Sequence, residues 1–143
     1  MIICHRGNIY GVNTEFENNP EYLETALSAG FDIETDVWYI NNKFLLGHDK
    51  PQYEISLDWL KKEHIWCHCK NVEALYELLK YKSINCFFHD QDDYTLTSHG
   101  YIWTYPKNII LTDKSIAVMP EKVKGWNLTN AYGICTDFSM NYK

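Results

Sequence analysis

The sequence predicts an α/β fold: a compact, truncated TIM-type (β/α) barrel with about seven core parallel strands and reduced helices, in one domain spanning residues 1–143. Three observations lead there. Short apolar segments recur along the chain and end in polar or special residues. Helices separate the early segments in the strand–helix order of a parallel sheet. Imidazole and carboxylate residues sit at several strand ends, where a barrel gathers its chemistry. A typical barrel takes roughly 250 residues. A chain of 143 residues implies a compressed barrel with incomplete closure, and an open α/β sheet is the alternative.

The strand segments are Ile2–Cys4, Phe31–Val37, Ile65–Cys69, Asn85–Phe88, Tyr101–Thr104, Ser115–Met119 and Gly133–Cys135. Phe44–Gly47 adds a short strand, paired with the end of the second through an Asn41-Asn42 turn. One helix starts at the cap Asn19 with Pro20 in its first position and stops at Gly30. Another starts at Asn71 and carries Val72, Leu75, Leu78 and Leu79 on one face. Weaker helical signals cover Leu57–Lys62 and Asp92–Ser98. Later connections such as Tyr105–Lys114 are close to the minimum for a parallel crossover.

Composition narrows the function. An apolar fraction of 45% and a charged fraction of 22% are those of a globular domain. Thirteen basic against nineteen acidic residues give a net charge of −6, which argues against general nucleic-acid binding, since that relies on basic patches. No segment reaches the length of a membrane span, and no basic-then-apolar leader opens the chain. Five cysteines within apolar runs read as reduced core thiols, the habit of a cytoplasmic protein. Cys67-His68-Cys69 suggests zinc, yet strand alternation turns His68 away from the two cysteines, and no second pair completes the ligand set.

The chemistry gathers in His5-Arg6-Gly7, Glu34-Thr35-Asp36 and His48-Asp49. Glu34 and Asp36 are two apart on a strand, so both side chains leave one face. Carboxylate oxygens suit a hard divalent cation, magnesium or calcium, and imidazoles move protons near neutral pH. That combination is what metal-assisted phosphoryl cleavage requires. Trp103 and Tyr105 share a strand face, where their rings either stack on a substrate or pack the barrel.

His5-Arg6-Gly7, Glu17-Asn18, the helix ending at Ala29-Gly30, Ile33–Val37 and Gly47-His48-Asp49 together resemble the opening signature of the glycerophosphodiester phosphodiesterase family, built on a (β/α)8 barrel. The resemblance covers about the first third of the chain; Lys70 and Thr136-Asp137 extend it weakly. It implies that His5 and His48 are the catalytic acid/base pair and that Glu34 and Asp36 hold magnesium or calcium. It also implies that Arg6, with Lys70, contacts the phosphate of a small-molecule phosphodiester from lipid metabolism. Trp103 is a candidate for the alcohol. In the third strand the family carries an acidic metal ligand where this chain has His68, which is then either a substitute ligand or a core residue. Two other functions stay open: a lyase leaving a cyclic phosphate, and a barrel that binds a phosphorylated ligand or metal without turnover. Open sheet edges favour a homo-oligomer.

Overall fold

The computed structural model describes residues 1–107 and 109–143. Its strands are β1 (Ile2–His5), β2 (Asp32–Ile40), β3 (Lys43–Leu46), β4 (Tyr53–Ile55), β5 (Ile65–Cys69), β6 (Asn85–Phe88), β7 (Tyr94–Leu96), β8 (Ile102–Thr104), β9 (Ser115–Val118) and β10 (Gly133–Thr136). Three short α-helices accompany them, α1 (Pro20–Ser28), α2 (Leu57–Leu60) and α3 (Val72–Leu78). All ten strands belong to one sheet. Strands β6, β5, β2, β1, β10, β9 and β8 lie side by side and parallel. The long β2 outruns its neighbours, and its second half turns through Asn41-Asn42 into the antiparallel β3, followed by antiparallel β4. Both turn residues have positive φ, as a two-residue hairpin turn demands.

The expected TIM-type barrel is not what forms. The molecule is a curled, mixed-sheet half-barrel with more strand than helix. Three of its strand pairings are antiparallel, and no strand ladder joins β6 to β8 among the described residues. The physical reason lies in the connections. After β6, none of the described connections forms an α-helix. Instead the loops send Leu111 and Trp126 onto Ala117 and Ile134, and these side chains cover the back of β9 and β10 in place of a helix. The helix expected over Asp92–Ser98 is also absent: Tyr94-Thr95-Leu96 is β7, a hairpin partner of β8. An aromatic, a β-branched and an aliphatic residue in succession fit a pleated edge better than a helix turn.

Where the helices do form, capping explains them. The Asn19 side chain accepts from the backbone N–H groups of Glu21 and Tyr22, and Pro20 occupies the first helical position. Asn71 accepts from Ala74 N–H, and its amide also bonds both backbone groups of Tyr39, tying α3 to β2. On the convex side, α1, α2 and α3 bury Leu23, Ala26, Leu60, Ala74 and Leu78 against Ile33, Val37, Cys67 and Cys69. The concave side is filled low down by Ile3, Trp66, Phe87, Trp103, Ile116 and Cys135. Above that apolar floor, the next inward residues of β1, β2 and β5 are polar, and the cavity opens there. Among the described residues, no helix is long and apolar enough to cross a membrane.

Candidate functional site

Alternation on parallel strands stacks the inward side chains in layers. Register places His5 of β1 opposite Glu34 of β2, and Asp36 of β2 opposite His68 of β5. His68 thus points inward while Cys67 and Cys69 are buried in the helix-covered core. His5, Arg6, Glu34, His48, His68 and Lys70 line one cavity of about 530 Å³. Asp36 lies just beneath, fully buried, in contact with Arg6, His48, His68 and Lys70.

Two glycines bend the chain back at this end of the sheet. Gly7 has a positive φ, and a β-carbon there would come within 2.8 Å of the Tyr22 ring. At Gly47 a β-carbon would fall 2.0 Å from the Lys50 carbonyl oxygen, so the turn presenting His48 admits no larger residue. Immediately before Gly7, Arg6 adopts a left-handed φ of 51°. Its backbone N–H donates to Glu34 Oε2 at 3.1 Å, and its side chain folds back over the strand ends.

The Arg6 fork knits the site together. It donates to Glu17 Oε2 at 3.1 Å, and its Nε lies 3.0 Å from Asp36 Oδ2. Its Nη2 stands 2.7 Å from His48 Nδ1. The same Nη2 lies 3.3 Å from His48 Nε2, so the guanidinium sits against both ring nitrogens. His48 Nδ1 also lies 3.4 Å from Asp36 Oδ2, the oxygen that Arg6 Nε approaches at 3.0 Å. Lys70 is less committed, its ammonium standing 3.9 Å from Asp36 Oδ1.

His5 is held by a carboxylate. Its Nδ1 is 2.8 Å from Asp137 Oδ1, and a carboxylate there fixes the ring proton on Nδ1 and leaves Nε2 as the lone-pair nitrogen. That Nε2 lies 3.9 Å from Glu34 Oε2. Burial raises the Asp137 carboxyl, but the bonds from His5 and Asn8 bring it below the ordinary aspartate value. Asn8, fully buried, donates to both Asp137 and Glu17 and so couples the two carboxylates that orient His5 and Arg6.

His68 faces Glu34 Oε1 at 3.4 Å and Asp36 Oδ1 at 3.2 Å through Nδ1, while its Nε2 donates to the His89 carbonyl at 3.0 Å. Burial disfavours its charge, yet Asp36 and Glu34 outweigh burial and raise its pKa to about 9. Neither approach is aligned as a hydrogen bond, and Asp36 Oδ1 is left buried without a donor. Such an orphan is costly unless something else satisfies it. Ligand atoms of Glu34, Asp36 and His68 lie within 4.8 Å of one another, a spacing that fits a single cation. The two carboxylates suit the magnesium or calcium that the resemblance implies; the imidazole does not, because hard cations hold nitrogen poorly.

Trp103 is largely a core residue, its ring tilted against Phe87 at 4.6 Å and Trp66 at 6.1 Å, and it lines the cavity although almost fully buried. Tyr105, Pro106, Val118 and Met119 complete an apolar wall opposite the charged one. Several members of the site carry no clear signal of their own in the sequence. Asp137 and Glu17 appear only inside the resemblance. Asn8 and Lys122 are ordinary loop residues until folding brings them in, and Lys122 lines the cavity with no side-chain partner among the described residues. His89 also lines it, its Nδ1 at 3.0 Å from Thr95 Oγ1. Burial and the nearby His68 lower its pKa. Compared with family models, curated proteins and solved structures, the chain matches none of them.

Proposed function

We propose that this protein is a metal-assisted phosphodiesterase acting on a small glycerophosphodiester-like molecule inside the cytoplasm. The observation that carries this reading is a pair of histidines on one cavity, one held by a carboxylate and the other by a guanidinium. His5 is bonded to Asp137 through Nδ1, which turns its Nε2 to the cavity, and His48 lies against Arg6 and Asp36. One is set to take a proton from the attacking oxygen, and the other to give one to the departing alcohol. Lys70 and Lys122 flank the same space and neutralise the phosphate. A divalent cation on the Glu34, Asp36 and His68 cluster would add charge neutralisation at the non-bridging oxygens. The alcohol arm rests on the apolar wall of Tyr105, Val118 and Met119, with Trp103 beside it. The ordered resemblance of His5 to Asp49 to the glycerophosphodiester phosphodiesterases supports the same chemistry, and five buried free thiols suit a reducing compartment.

Phosphorus NMR on a panel of phosphodiesters, with magnesium, calcium, manganese or zinc, tests the proposal. Metal-dependent appearance of a phosphomonoester supports it. A cyclic phosphate as the end product would replace hydrolysis by the lyase reaction, and an unchanged spectrum with every metal would leave a binding module.

A further inference from the structure

The donor set of the cluster points to a different class of ion from the one the resemblance implies. Three observations bear on it, and all concern geometry. First, His68 Nε2 is bound to the His89 backbone carbonyl at 3.0 Å. A carbonyl only accepts, so this nitrogen keeps its proton and Nδ1 is the one free to ligate. Backbone carbonyls hold metal-bound histidines in this way, fixing both tautomer and ring orientation. Second, His68 Nδ1 stands 3.2 Å from Asp36 Oδ1 and 3.4 Å from Glu34 Oε1. Ligands about 2.0–2.2 Å from a shared zinc at tetrahedral angles are themselves roughly 3.4 Å apart. Third, Asp36 Oδ1 is fully buried and has no donor, although its partner oxygen is bonded to Asn18 and lies 3.0 Å from Arg6 Nε. The unsatisfied oxygen faces His68. The ring is also braced from behind, stacked on Phe87 at 5.2 Å with an interplanar angle of 7°, so it cannot swing away to let water take its place without losing that contact.

We infer that Glu34, Asp36 and His68 form a site for a nitrogen-accepting first-row transition ion, zinc, in preference to magnesium or calcium. An imidazole suits zinc and its neighbours, whereas magnesium and calcium take oxygen. The inference rests on reading the cluster as a metal site, and it is independent of whether the protein cleaves phosphodiesters.

The test uses metal alone, without substrate. Chelator-stripped protein is titrated calorimetrically with zinc, manganese, magnesium and calcium, as wild type and as His68→Ala and His68→Asp, with circular dichroism checking the fold. Zinc affinity should fall more than about a hundredfold in His68→Ala, beyond the 10–100-fold expected for losing only a supporting contact. In His68→Asp the preference should move towards magnesium and calcium. Zinc binding that is unchanged in His68→Ala, or magnesium binding by the wild type as tight as zinc, would overturn the inference. Should the variants fail to fold, nitrogen NMR of the wild type decides. Zinc should shift the His68 Nδ1 resonance while the Nε2 proton persists, and a His68 ring unmoved by zinc would refute the assignment.

Discussion

Asn18 is the residue whose removal tests the packing of this site most sharply. It is almost fully buried and has a left-handed φ of 63°. Its Nδ2 donates to Asp36 Oδ2 at 2.9 Å, and its Oδ1 accepts from Thr35 Oγ1 at 2.8 Å and from the Asp36 N–H at 2.9 Å. One side chain therefore sets both the backbone and the carboxylate of Asp36. Asn18→Ala strands the Thr35 hydroxyl and the Asp36 N–H, each costing about 1–3 kcal/mol when buried. It also places an alanine in the left-handed region, at about 1–2 kcal/mol. The expected loss is roughly 4 kcal/mol, or a fall of about 10 °C in Tm for a domain of this size. Asn18→Gly removes the same hydrogen bonds without the backbone strain and should be about 1 kcal/mol less damaging. Urea denaturation reads both values, and calorimetry should show metal affinity about 10–100-fold lower in each variant. Loss of under 1 kcal/mol in Asn18→Ala, with metal affinity intact, would show that Asp36 is not positioned by Asn18. A glycine variant weaker than the alanine would refute the backbone argument.

Other expectations follow from the same geometry. His5→Ala and His48→Ala should each lower kcat by about 10²–10⁴-fold with little change in KM, measured by steady-state kinetics on the best substrate of the phosphodiester panel. Asp137→Asn, which leaves His5 in place but removes its orienting charge, should lower kcat with little change in KM; an unchanged kcat would detach Asp137 from His5. Glu34→Gln should abolish metal binding with the fold retained, whereas Asp36→Asn should also destabilise the protein, because the buried Arg6 guanidinium loses a charged partner. In the metal-free protein, His68 is raised from 6.5 to about 9, so the folded state holds its proton more tightly than the unfolded chain. That contribution, about 3 kcal/mol, is complete below pH 6.5 and disappears as pH rises through 9. Urea midpoints that are flat between pH 6.5 and 9 would contradict it.

Much of this was legible in the sequence, and the exceptions have physical causes. Every one of the seven apolar segments is a strand in the parallel part of the sheet, because runs this short, bounded by polar and turn residues, have strand length and are too short for a helix. Asn19-Pro20 and Asn71 mark helix starts through local capping bonds, which short-range sequence encodes fully. The barrel failed because closure depends on what covers the second half of the sheet, and Leu111 and Trp126 do this from loops whose positions only tertiary packing sets. The edge hairpin of β7 failed for a similar reason, since three residues carry too little period to separate strand from helix. In the site, the inward faces of Glu34, Asp36 and His68 follow from alternation alone. Asp137 and Asn8 do not: their hydrogen bond spans almost the whole chain, and nothing near either residue in sequence signals the other.

The most direct measurement is phosphorus NMR of one phosphodiester incubated with metal-loaded wild type, His5→Ala and Glu34→Gln under identical conditions. The account predicts steady conversion to phosphomonoester by the wild type, lost on adding a chelator and restored by metal, with at least about hundredfold slower conversion by both variants. Conversion by Glu34→Gln at the wild-type rate, or wild-type turnover indifferent to the chelator, would contradict the claim that this cluster of carboxylates and imidazoles is a metal-assisted phosphodiesterase site.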